Sequence, residues 1–195
     1  MPRFSENEKE QIRNRLLTEG EKLFVAYGIK KVTIDDLVEA VGIAKASFYT
    51  FYESKEYLYL DIVQGIQKKI FAELNTLLDS NVNLPGRKRV RQVFDVMLHR
   101  MLRYPILTHI NTATAELIAR KVSKERMGAF DGQNIDAAQS LHHHGIRFSC
   151  DIKMASYAFQ ALYHSWMYLQ DKGGDMQASV TDILLNGVIN QIVIE

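Results

Sequence analysis

A single cysteine, Cys150, in 195 residues excludes an intrachain disulfide and any cysteine-cluster metal site. Proline is scarce, with three in the whole chain, so the strongest helix breaker is missing over long stretches. There is no bulk charge of one sign. The 24 basic and 23 acidic residues leave a formal charge of +1, which gives no bulk signal for nucleic acid or an acidic membrane. No long apolar run is present either: the longest uncharged stretch, residues 154–170, is interrupted by Ser156, Gln160, His164 and Ser165, a poor membrane span. Residues 1–22 are charged and polar rather than the charged-then-apolar form of a secretory signal. These absences lead us to expect a soluble, cytoplasmic protein with no membrane partner. At 47% hydrophobic and 24% charged, the composition is that of a folded globular chain.

What the chain does have is helical spacing almost throughout. Ser5 with Glu8 three residues later is a capping box, and Ile12, Leu16, Leu17, Leu23, Phe24 and Tyr27 then recur every three to four residues. Gly28 is expected to end that helix. Thr33, with Asp36 at the third helical position, opens a short second helix that Gly42 stops. A third short helix is expected over 44–52, and Ser54 is expected to cap a long fourth from Lys55 to Asp79-Ser80-Asn81. Five more are expected near 86–103, 106–121, 124–144, 152–171 and 177–193, punctuated by Pro85-Gly86, Pro105 and Gly173-Gly174. Strand-type alternation competes nowhere over a useful length. The expected fold is all-α, with about nine helices.

The most informative segment is TIDDLVEAVGIAKASFY, residues 33–49. Two short helices across a tight turn that begins with glycine describe a helix-turn-helix. Ala40 would allow close helix approach, Gly42 supplies a positive φ, and Ile43 would plug the angle between the helices. The second helix then offers Lys45, Ala46, Ser47 and Tyr49 near its start, where small side chains can enter a major groove and polar ones reach phosphates or base edges. Any all-α protein can hold such a hairpin. The aromatic stretch that follows, with Phe48, Phe51, Tyr52, Tyr57 and Tyr59 around Glu53-Ser54-Lys55-Glu56, is what separates the two readings.

The run GIAKASFYTFYESKEYL resembles the tetracycline-repressor family of bacterial regulators. That family's pattern is G-(V/I)-(S/A)-K-(G/A)-(S/T)-(F/L)-Y-x-x-(F/Y)-x-S-K-E-x-L. It is met here by Gly42, Ile43, Ala44, Lys45, Ala46, Ser47, Phe48, Tyr49, Tyr52, Ser54, Lys55, Glu56 and Leu58. The resemblance spans about residues 8–60. It implies an N-terminal three-helix DNA-binding domain over 1–53 and a larger effector-binding and dimerisation domain over 54–195. It also implies that Lys45, Ala46 and Ser47 form the groove-facing edge, and that Thr33, Tyr49 and Lys55 contact phosphates. Two departures stand out. Phe51 occupies a position where many members carry His, and Ala44 replaces a Ser that would cap the recognition helix. Phe48 and Phe51 have a plainer role open to them as core of the small domain.

Two late helices, 154–170 and 183–194, carry little or no charge, and a helix apolar nearly all round is buried on more than one side. A second subunit is the expected partner, and the family resemblance implies dimerisation through the last two long helices. Ala158, Leu162, Leu184, Leu185, Val188, Ile189 and Ile192 are the expected interface. Polar groups within an apolar stretch suit a ligand cavity: Tyr104, Thr108, His109, Asn111 and Thr112, completed by Met97, Met101, Phe130, Phe159, Tyr163 and Trp166. His142-His143-His144 cannot converge on one ion, because successive helical residues point about 100° apart. We therefore expect no metal and no cofactor. Arg87-Lys88-Arg89 with Arg91 is a basic cluster, read either as a solvated face or as a contact for a partner or an anionic effector.

No Ser-His-Asp, Cys-His or paired-carboxylate arrangement is present, nor a glycine-rich phosphate loop, so no catalysis is expected. The expected function is a ligand-responsive transcriptional regulator, a repressor. It would bind a two-fold-related double-stranded operator as a homodimer and be released by a small-molecule effector. The alternative is a small helical carrier or enzyme without a DNA role, which salt dependence would separate from a DNA binder.

Overall fold

Local sequence signals set most of the helix boundaries. The computed structural model describes residues 4–108, 112–172 and 174–195, with the side chains of residues 112, 128–137 and 171 left out. Helix α1 (Glu6–Lys31) starts at the Ser5–Glu8 capping box, closed in both directions. Its regular part ends at Gly28, at φ 76°, and one further turn carries the chain to Lys31. A second capping box, Thr33 with Asp36, opens α2 (Ile34–Val41), and Gly42 at φ 73° closes it in the left-handed region that favours glycine. Helix α3 (Lys45–Phe48) follows, and then α4 (Lys55–Ser80).

Helix α3 is shorter than its sequence pattern suggests. The backbone from Thr50 to Tyr52 continues in turns, with Phe51 N–H and Tyr52 N–H both donating to the Phe48 carbonyl. The side-chain oxygen of Ser54, expected to cap α4, is buried without a hydrogen-bond partner.

The remaining helices are α5 (Gly86–Leu102), α6 (Pro105–Thr108), α7 (Thr112–Lys121), α8 (Lys124–His143), α9 (Ile152–Lys172) and α10 (Gln177–Ile192). Ten α-helices thus stand among the described residues where about nine were expected. The segment expected as one helix over 106–121 is described as α6 and α7 on either side of residues 109–111, which lie outside the described residues, and Pro105 takes the first position of α6, where its missing N–H costs nothing. The fold is all-α, apart from a two-residue antiparallel pair, β1 (Arg147–Phe148) with β2 (Val193–Ile194), too short to register as alternation.

The chain divides into two compact units. The first comprises residues 1–68 and 103–127, the second 69–102 and 128–195. In the first, Leu16, Phe24, Leu37, Val41, Phe48, Leu58, Tyr59, Val63, Ile106 and Leu107 are buried. Gly20 lets α1 approach α4, since a Cβ there would stand 3.1 Å from Leu58 and 3.2 Å from Ile62. Ala40, expected at a close helix approach, lies exposed instead, on an open groove with Leu23 and Tyr27.

In the second unit, α9 and α10 pack on one another and α5 packs on α10. Phe94, Phe159 and Phe148 form an aromatic cluster there, with ring centroids 5.0 and 5.9 Å apart.

Candidate nucleic-acid interface

The turn between α2 and α3 sorts its residues by face. Phe48 is fully buried and meets Tyr49 edge-on at 5.7 Å, while Tyr49 itself is exposed. Lys45 and Ala46 are exposed and Ser47 is half-buried, so the start of α3 presents a small, polar edge outside the core. No side chain caps that helix, as Ala44 implies. Phe51 is half-buried against Phe4, their centroids 6.4 Å apart.

Three further polar residues surround this edge. The Thr33 hydroxyl accepts from Asp36 N–H at 3.2 Å, and the Asp36 carboxylate accepts from Thr33 N–H and from the Thr33 hydroxyl, both at 2.8 Å. The backbone N–H and then the hydroxyl of Thr33 hold the Asp36 carboxyl below its ordinary pKa. The Lys45 ammonium donates to Asp35 at 2.8 Å, and that bond raises the lysine pKa. Lys55 reaches back from the first turn of α4 to donate to the Val32 carbonyl at 2.5 Å, tying the start of α4 to the α1–α2 joint.

The aromatic stretch that follows is held from below by residues 103–127. Tyr59 OH donates to the Ile106 carbonyl at 3.2 Å, and Ser123 N–H donates to Tyr57 OH at 3.1 Å. Arg126 is paired with Asp61. Tyr52 lies beneath the Arg13 guanidinium, 5.8 Å from its ring centroid, and burial pushes its phenol pKa up.

The other sequence-derived residues lie elsewhere. Tyr104 and Thr108 belong to the first unit, and the Thr108 hydroxyl donates to the Pro105 carbonyl at 2.8 Å. Met97, Met101, Phe159, Tyr163 and Trp166 belong to the second. There Tyr163 and Trp166 stack at 6.3 Å and border a recess with Phe94, Leu98, Leu162 and Thr181 that has room for about one water molecule. Burial raises the Tyr163 phenol to about 12. His109 and Asn111 lie outside the described residues, as do the side chains of Thr112 and Phe130. Of the expected interface residues, Leu162, Leu185 and Ile189 are buried within the subunit, Ala158, Val188 and Ile192 are half-buried, and Leu184 is exposed.

Some residues gave no usable signal in the sequence. Arg89 is buried and donates to the Leu78 carbonyl at 3.0 Å and the His144 carbonyl at 2.8 Å, closing the ends of α4 and α8. Arg87 donates to the Val193 carbonyl, and Arg91 bridges Asp95, Asp182 and Asn186. Three of the cluster's four residues are therefore engaged within the subunit, and Lys88 is exposed. Asp35 was visible only as half of an adjacent acidic pair. Among the described residues no His, Cys, Asp and Glu group could hold a metal ion, and His144 faces Asp79 at 3.2 Å.

Comparison with known proteins adds the family. The sequence pattern of bacterial regulatory proteins of the tetR family matches residues 16–62, which hold the whole α2–α3 unit. Residues 16–62 thus carry the N-terminal pattern of the tetR family. That family consists of regulators and not of enzymes. The nucleoid occlusion factor SlmA of Vibrio vulnificus is 25% identical over 102 residues, 52% of this chain and 51% of SlmA. The chain thus spans about half the length of the curated relatives it matches.

Solved structures of two other proteins share the fold. SmeT, the repressor of the Stenotrophomonas maltophilia multidrug efflux pump SmeDEF, superposes with a TM-score of 0.63 at 18% identity, over 94% of this chain and 91% of SmeT. RolR in complex with resorcinol gives 0.57 at 16% identity, over 98% of this chain and 92% of RolR. Among the described residues, no helix is long and apolar enough to cross a membrane.

Proposed function

We propose that this chain is a ligand-responsive tetR-family repressor that binds a two-fold-related DNA operator as a homodimer in the cytoplasm. The observation that carries the reading is the exposed edge of Lys45, Ala46, Ser47 and Tyr49, backed by the buried Phe48 and set by the turn at Gly42. Residues 1–53 act as the DNA reader and residues 54–195 as the effector-binding and dimerisation part. Thr33 and Lys55 flank the reading edge as phosphate contacts, with Thr33 at a helix start where backbone N–H groups also favour anions.

A single short helix per subunit buries too little for specific binding, so a dimer is required. The surface that supports one is a row on the last two helices. Tyr157, Ala161, His164 and Tyr168 on α9, with Ile183, Gly187 and Asn190 on α10, are all exposed, are spaced every three to four residues and carry no formal charge. Ala161 and Gly187 lie within it, where small side chains let helices approach. Leu184 borders the row, and Leu162, Leu185 and Ile189 support it from inside the subunit.

The effector site belongs beside Met97, Met101, Phe159, Tyr163 and Trp166. Because the recess there admits little, an effector must favour a more open form, and by linkage that form binds operator less well.

Footprinting on the DNA flanking the chain's own gene tests the reading, paired with titration at several salt concentrations. A protected two-fold-related site whose affinity falls with salt is the expected result. Salt-independent association, or none, returns the carrier reading. A second reading comes from the 25% identity over 102 residues to SlmA, named as a nucleoid occlusion factor. Protected sites scattered along the chromosome, unaffected by small molecules, would establish that reading instead.

A further inference from the structure

Asp35 and Asp36 are adjacent at the start of α2, yet the structure uses them differently. Asp36 is consumed by the capping box with Thr33, whereas Asp35 leaves its own helix to accept from Lys45, the first residue of α3. Both members of this pair are exposed, Asp35 at 68% and Lys45 at 54%, so the bond adds little to stability.

For DNA binding in general the carboxylate is unfavourable. It stands 2.8 Å from the lysine that leads the reading edge, repels phosphates and competes with them for that lysine. That cost is offset only where DNA offers the carboxylate a donor. In the major groove, Asp accepts from the N4 amino group of cytosine, while Lys donates to the O6 and N7 of guanine. A carboxylate beside an ammonium therefore matches the two edges of one base pair.

We infer that Asp35 is a specificity-determining residue, which together with Lys45 selects a C·G pair in each operator half-site and depresses binding to other sequences. The inference rests on the DNA-binding function proposed above. It assigns Asp35 a role at the bases rather than in the fold. Its mark is a variant that binds arbitrary DNA better while discriminating less.

The test is selection by the full-length protein from a double-stranded DNA library with a randomised core, alongside titration of a mixed-sequence duplex. The wild type is expected to select a two-fold-related motif containing a C·G pair that Asp35→Ala no longer prefers, with discrimination at that position falling about tenfold. Asp35→Ala should also bind the mixed-sequence duplex several-fold more tightly, with a log–log salt slope steeper by about one unit. Asp35→Asn, which keeps the side-chain size, should move the preference at that position towards adenine, since Asn pairs with its N6 and N7. If Asp35→Ala loses both its melting temperature and its binding, Asp35→Asn decides.

An unchanged motif and unchanged mixed-sequence affinity in both variants overturn the inference. So does a uniform loss of binding by a folded Asp35→Asn. A wild type that binds no duplex in a salt-dependent way overturns the proposed function instead, so the two failures are distinct.

Discussion

The two exposed surfaces that matter most in this chain are built from opposite materials. Around α2 and α3, Lys45, Asp35, Thr33, Asp36 and Lys55 are tied to one another or to the backbone by hydrogen bonds, and the aromatic rings lie mostly beneath them. On α9 and α10 the exposed row is Tyr, Ile, Ala, Gly, Asn and His, with no formal charge. A surface of the first kind meets a polyanion, and its affinity is set by ionic strength. One of the second kind loses water against a similar surface, and salt changes it little. The near-neutral total charge hides this division. The first 58 residues hold nine basic and ten acidic side chains, so the proposed DNA reader is a local arrangement and not a basic domain.

The largest expected effect comes from breaking the uncharged row. A Cβ at Gly187 meets nothing within 4 Å in the subunit, so Gly187→Glu should leave the monomer folded. Two buried charges facing each other across a two-fold axis would then separate the dimer. Sedimentation should show monomers. Operator affinity should fall about a hundredfold, because the second half-site loses its tether. A dimeric Gly187→Glu protein would place the interface on another face.

Next is Arg89, which tests whether the basic cluster belongs to either surface. The residue is 6% exposed, and its guanidinium serves the Leu78 and His144 carbonyls. Arg89→Met should lower unfolding stability by about 2–3 kcal/mol in denaturant titration. Operator affinity of the folded fraction should not change. Unchanged stability with altered effector response would make Arg89 a ligand contact after all.

Much of this was legible before the structure, and the reason differs by region. Capping boxes, the Gly42 turn and the periodic Leu, Ile and Phe positions are local signals, so α1, α2 and the long helices lie close to where their spacing puts them. A core role for Phe48 was one of two open on the sequence, and the structure buries the residue fully. What was not legible depends on partners far along the chain. Arg89 reads like Lys88 until Leu78 and His144 close on it. Asp35 reads like Asp36 until Lys45 reaches it from the next helix. The last two helices could be recognised as apolar all round, but periodicity does not say which side stays open. That is why Leu185 and Ile189 were expected at an interface and are instead buried in the subunit.

Lys45→Ala has a smaller effect and bears on the polar surface alone. The residue is exposed and its bond to Asp35 adds little to stability, so the melting temperature and the dimer should stay as in the wild type. Operator affinity should fall about tenfold. Read together with Gly187→Glu, this separates the two surfaces. One variant loses DNA with its dimer intact, and the other loses DNA because its dimer is gone. Equal affinity of Lys45→Ala and wild type for operator would remove α3 as the reading edge.

The smallest effect is a pH dependence that only the polar end of the comparison should show. Asp36 is held below its ordinary pKa of 3.8 by Thr33, and Glu8 below 4.5 by Ser5. A carboxyl depressed in the folded state binds its proton more readily when unfolded. Its contribution is therefore complete above the unfolded pKa and lost as pH falls through the folded one. Melting temperature should accordingly drop on acidification below about pH 4, and Asp36→Asn should lower it at neutral pH while flattening that acid limb. Helix α10 has Met176 at its cap position with no side-chain hydrogen bond, so its start has no capping carboxylate to lose. Amide exchange followed from neutral to acid pH should accordingly rise first in the opening turns of α1 and α2. If protection at the start of α10 collapsed first instead, the acid sensitivity would lie outside the capping boxes.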